Sequence, residues 1–143
     1  MTALRFERGW PYLAAVLAVV GWWFIADGRF PSKPDALLGA SGGASAVLVG
    51  FLATSKTIIL ALNGSAVMTK IREAGYQVTL FTYLYSAIAW GFGLLVISII
   101  GFIVQTESGL PAYFEGLWVA VACLASFTYW RVTNILFKVL RWA

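Results

Sequence analysis

Uncharged, predominantly apolar positions run from Trp10 to Ala26, Leu37 to Leu62, Thr79 to Val104 and Phe114 to Phe137, broken only by Lys56 and Glu115 near segment ends and by Arg131. A hydrocarbon core of about 30 Å takes about 20 residues of helix, and each run approaches or exceeds that length. Barrel strands would instead alternate over about ten residues. The pattern predicts an all-α, polytopic membrane protein. Residues 1–143 form one integral membrane domain with transmembrane helices at about 10–26, 37–62, 79–104 and 114–137. A central helical hairpin occupies about 63–78.

Local signals refine each run. Arg5 and Arg8 flank Glu7 before the first apolar stretch, as in a signal peptide, but no small-x-small site precedes Asp27. The stretch is expected to stay as span one, with Pro11 in its first turn and Trp22, Trp23 and Phe24 forming an aromatic belt at its far end. Gly28, Pro31 and Pro34 predict a non-helical connection from Asp27 to Ala36. Span two then carries Gly39, Gly42, Gly43 and Gly50. Small residues at such spacing let membrane helices approach closely, within one subunit or between subunits.

The second half of span two turns polar. Lys56, Asn63 and Lys70 fall seven residues apart, so a continuous helix places them on one stripe. A lysine there either reaches the headgroups along its own stem or faces a water-filled lumen or a carboxylate. Asn63-Gly64 is a turn signal, but the expectation adopted is one helix running to Ala74 and capped by Gly75 in left-handed geometry. In span four, Arg131 is expected at the interface, with Asn134 three residues on and nearly on the same face.

Composition agrees with the pattern and adds orientation. The 143 residues are 61% hydrophobic and 11% charged, with a mean hydropathy of +0.85, outside the soluble range. With the termini and the hairpin on one side, that side holds Arg5, Arg8, Lys56, Lys70, Arg72, Arg131, Lys138 and Arg141 against Glu7 and Glu73. The other side holds Arg29 and Lys33 against Asp27, Asp35, Glu107 and Glu115. The positive-inside rule then predicts a bacterial inner-membrane protein with N-in/C-in topology. This placement accounts for the basic pI of about 9.5 without nucleic-acid binding.

Candidate chemistry is sparse. There is no histidine, Cys123 is the single cysteine, and the six carboxylates are scattered, so neither a metal-ligand set nor an acid–base pair is spelled out. The chain is expected to be neither an enzyme nor a cofactor binder. A pore would require a homo-oligomer lined by Lys56 and Asn63, with Arg131 and Asn134 as further gating candidates.

The segment Lys70-Ile71-Arg72-Glu73-Ala74-Gly75-Tyr76 follows a polar-ended span and precedes a tyrosine-rich one. It resembles the central loop of the RexB family, four-span phage-exclusion proteins of lambdoid prophages, which is also similar in chain length, span number and loop position. The resemblance implies an abortive-infection effector, opened during phage infection by a cytoplasmic RexA-like sensor and depolarising the cell. The hairpin residues Lys70, Arg72, Glu73, Gly75 and Tyr76 would receive the partner. A holin-like pore, the membrane sensor of a Kiwa-type defence system and a non-conducting membrane scaffold remain as alternatives.

Overall fold

The chain folds into α1 (Thr2–Ile25), α2 (Pro34–Ala61), α3 (Ala66–Glu73), α4 (Gln77–Val104) and α5 (Ala112–Arg141). The computed structural model describes residues 2–25, 29–31, 34–61, 64, 66–73, 75, 77–105 and 109–141, with the side chains of 2–8, 66–67, 70–71 and 138–141 outside that description. Three helices are long and apolar enough to cross a membrane: α2, α4 and the Ala112–Phe137 part of α5. A shorter apolar stretch, Gly9–Ile25, lies within α1. The 28 residues of α2 and of α4 each extend about 42 Å at the usual helical rise.

Three boundaries differ from the sequence expectation. Pro34 opens α2 rather than interrupting a loop, because a first-turn N–H has no intrahelical acceptor and its loss costs nothing. Asp35 follows it in the first turn, where a carboxylate meets the positive end of the helix dipole. Pro11 is not in a first turn, since α1 begins at Thr2 and encloses it. There it removes a donor from the helix ladder, and its fully buried ring packs instead. Its neighbour Trp10 meets Phe127 of α5 edge-on at 5.6 Å.

The third difference is in the hairpin. The continuous helix to Ala74 is replaced by two elements, α2 ending at Ala61 and the eight-residue α3. Gly64 lies in the turn between them, as its conformational freedom favours. The cap at the far end is as expected: Gly75 has φ of 70° and donates its N–H to the Arg72 carbonyl at 2.9 Å.

In space the order is α2, α4, α5, α1, with each helix packed on its neighbour in that row and α3 set against α4. Among the described residues α1 and α2 do not pack together. The buried positions of α4 include Leu80, Leu84, Ala87, Gly91, Leu94, Ser98 and Gly101, a seam of alternating four- and three-residue steps. On α2 the matching positions are Leu38, Ser45 and Leu52, seven apart.

Two glycines set how closely α2 lies on α4. A Cβ at Gly91 would stand 2.8 Å from a Val49 methyl, and one at Gly101 would stand 3.0 Å from both Leu38 methyls and 3.2 Å from the Phe114 ring. Gly101 thus lets a residue of α2 and a residue of α5 meet across α4. One cluster of buried residues, Leu38, Leu94, Ile97, Phe114, Trp118 and Ala125, fills this half, and a second, Leu52, Tyr83, Leu84, Ala87 and Val132, fills the other.

The polarity is inverted relative to a water-soluble bundle. Large apolar side chains such as Leu17, Phe24, Val47, Phe51, Phe92, Ile103 and Leu117 are exposed, while Ser45, Ser98 and Thr128 are buried. Outward apolar groups and inward, internally bonded polar groups suit a hydrocarbon surround.

Candidate functional site

The central helix α4 gathers the polar groups of the interior. Ser98 is almost fully enclosed and is bonded to helices on both sides. Trp118 Nε1 of α5 donates to Ser98 Oγ at 3.1 Å, and Ser41 Oγ of α2 lies 3.1 Å from the same oxygen. Ser98 Oγ is also 2.7 Å from the Leu94 carbonyl, and Ser41 Oγ 3.0 Å from the Leu38 carbonyl.

A hydroxyl has one proton and two lone pairs. When Ser98 donates to Leu94 and Ser41 turns its single proton from the Leu38 carbonyl to Ser98, the Ser98 oxygen accepts from both Trp118 and Ser41, and α2, α4 and α5 share one atom. Ser45 extends the polar track by donating to the Ser41 carbonyl at 2.7 Å.

Ser98→Ala leaves the buried indole N–H without its acceptor, which costs about 1–3 kcal/mol. Ser98→Ala combined with Trp118→Phe removes both partners and is expected to recover part of that loss. Thermal unfolding of the three variants in one detergent checks the pair as a double-mutant cycle.

Toward the other end, Arg131 of α5 lies with Cζ 3.9 Å from the centre of the Tyr83 ring of α4. A guanidinium over an aromatic face is attracted by the ring quadrupole, by up to about 2 kcal/mol when desolvated. The Tyr83 hydroxyl is enclosed with no hydrogen-bond partner. Lys56 is half-buried on α2, on the far side of α4 from α5. Lys56 is thus on α2 and Arg131 on α5, two helices that each pack on α4. Asn134 is exposed, and Asn63 lies outside the described residues.

The opposite end carries a buried carboxylate. Glu115, in the first turn of α5, is 7% exposed, and its Oε2 accepts from the Phe30 N–H at 3.2 Å. Phe30 stacks edge-on between Trp22 at 6.1 Å and Trp118 at 5.2 Å. Trp22 is thus an internal tie to the 29–31 loop, while Trp23 and Phe24 are the exposed part of the expected belt. Sequence reading treated Glu115 only as a loop charge. Its place one turn into a helix with an aromatic residue on either side, Phe114 and Trp118, was the available signal.

The expected partner segment is a small docked element. Met68 of α3 is buried, and α3 packs on α4. Arg72 and Glu73 are exposed, with Arg72 Nε donating to Gln77 Oε1 at 3.3 Å. Lys70 belongs to α3 while its side chain lies outside the described set, and Tyr76 lies outside it entirely.

The small residues of α2 divide between two faces. Gly39 and Gly42 turn toward α4, where an added Cβ would stand 3.6 Å from Phe102 and from Ser98. Gly43 and Gly50 are exposed and have nothing within 4 Å of such an atom. The chain matches no protein-family profile, no curated protein and no solved structure.

Proposed function

We propose that this chain is a four-span bacterial inner-membrane protein with cytoplasmic termini that acts as a triggered effector of phage exclusion. In this reading a RexA-like cytoplasmic partner engages α3 during infection, and a homo-oligomer of the bundle then lets ions cross the membrane. The observation that carries it is the docking of α3 on α4. α4 packs on α2, α3 and α5, so a displacement at α3 enters the bundle at its centre.

Charge supports the orientation. The end of the bundle bearing α3 carries Lys56, Arg72 and Arg131 against Glu73, and the other end carries Asp35 and Glu115 with Arg29. By the positive-inside rule such a bias supports a cytoplasmic position for the basic end. The function itself draws on the resemblance of Lys70–Tyr76 to the RexB loop.

A non-conducting scaffold is the second reading, favoured by the open small-residue face of α2 at Gly43 and Gly50. A voltage-sensitive dye in cells expressing the chain, with and without its candidate partner and before and after phage challenge, separates the readings. Depolarisation is expected only with partner and infection together. Depolarisation on expression alone would point to a holin-like pore, and an unchanged potential throughout a protective response would favour a sensor or scaffold.

A further inference from the structure

Tyr83 shares its cluster with Leu52 of α2 and Val132 of α5, both completely enclosed, and is itself 4% exposed. Its hydroxyl oxygen is buried and bonded to no protein group. A phenol prefers to keep its polar tip bonded when its ring is buried. Leaving the tip unmet disfavours the arrangement that encloses it by about tenfold in a two-state ratio.

Thr128 of α5, also fully buried, donates to its own helix at the Leu124 and Ala125 carbonyls, 2.7 and 3.1 Å away. Arg131 lies over the ring, with Cζ 3.9 Å from its centre, a contact that opposes rotation of the ring away from α5.

We infer that the Tyr83–Arg131 contact is a two-state joint between α4 and α5. In the packed state the hydroxyl is enclosed; in a second state α4 is displaced, water reaches the space between α2, α4 and α5, and the hydroxyl is hydrogen-bonded. Tyr83 lies six residues into α4, the helix on which α3 docks, so motion at α3 has a short path to it. That the second state is the conducting one rests on the effector reading above; the existence of the joint does not.

Tyr83→Phe tests it, because the change deletes the oxygen and keeps the ring under Arg131. The full chain in lipid nanodiscs is followed by hydrogen–deuterium exchange at the amides of residues 80–87, with no partner present. Triggered depolarisation is followed in cells. Exchange is expected to slow about tenfold, the loss of one unmet hydroxyl, and triggered depolarisation to fall. Exchange that is faster in the variant would mean that the hydroxyl is bonded in the packed state, and unchanged exchange that there is one state; either overturns the joint. Slower exchange with no depolarisation in either protein would retain the joint and remove the effector reading.

Discussion

Gly101→Leu is expected to separate α2 from α4 and to destabilise the bundle by about 3 kcal/mol or more, since overpacking by even small increments costs about 1–3 kcal/mol. The reason is geometric. Already the first added carbon would sit 3.0 Å from Leu38 and 3.2 Å from Phe114, and Leu38 is completely buried, so it can yield only by displacing its neighbours or entering a void. Gly91→Leu acts at the same interface through Val49, whose β-branched side chain has few rotamers with which to yield.

Gly43→Leu is the matched control, because nothing lies within 4 Å of that position and exposed substitutions usually stay within about 0.5 kcal/mol. Thermal unfolding in detergent, with size-exclusion chromatography on the same samples, reads both effects. Equal destabilisation by Gly43→Leu and Gly101→Leu would mean that the tight face of α2 has been misassigned. A change of oligomer size confined to Gly43→Leu would make its open face a subunit contact.

The contrast between these glycines also explains what the sequence could and could not convey. The long uncharged runs announced the helices, because an apolar segment of about 20 residues satisfies its own backbone hydrogen bonds across hydrocarbon as a helix, whereas barrel strands are about ten residues long and alternate. The faces on which those helices pack were far less legible. In a soluble helix the apolar stripe marks the buried side, but here exposed Val47 and Phe51 and core-facing Leu38 and Leu52 are equally apolar.

Small residues were the remaining cue, and they pointed to Gly39, Gly42, Gly43 and Gly50 of α2. Gly39 and Gly42 do face α4, and the tightest glycine positions, Gly91 and Gly101, lie on α4 itself. The Ser41–Ser98–Trp118 junction was hidden for a related reason: its members are 57 and 20 residues apart in sequence, and each alone reads as an ordinary residue of an apolar helix. Pro11 and Pro34 misled in opposite directions, since what a proline does depends on where its helix begins. Gly75 was readable because a left-handed cap requires almost that residue.

If α3 receives the trigger of the proposed effector function, combined Lys70→Ala and Arg72→Ala is expected to abolish depolarisation while leaving the chain inserted and folded. Arg72 is exposed and bonded to Gln77 at 3.3 Å, an exchange with water worth little to stability. Among the described side chains of α3 the buried one is Met68, which the double variant keeps, so α3 is expected to stay docked on α4. At a partner interface the balance is different. Truncating one member of a desolvated charge pair costs about 2–5 kcal/mol, so even one lost pair weakens engagement by about 30-fold.

Met68→Asp completes the comparison, since it puts a carboxylate into the α3–α4 contact and undocks α3 without touching Lys70 or Arg72. Loss of the response in both variants would assign the basic residues to capture of the signal and Met68 to its transmission into α4. Loss with Met68→Asp alone would mean that α3 works through its contact with the bundle and not through its charges. Undiminished depolarisation in an inserted double alanine variant would remove the α3 charges from the trigger.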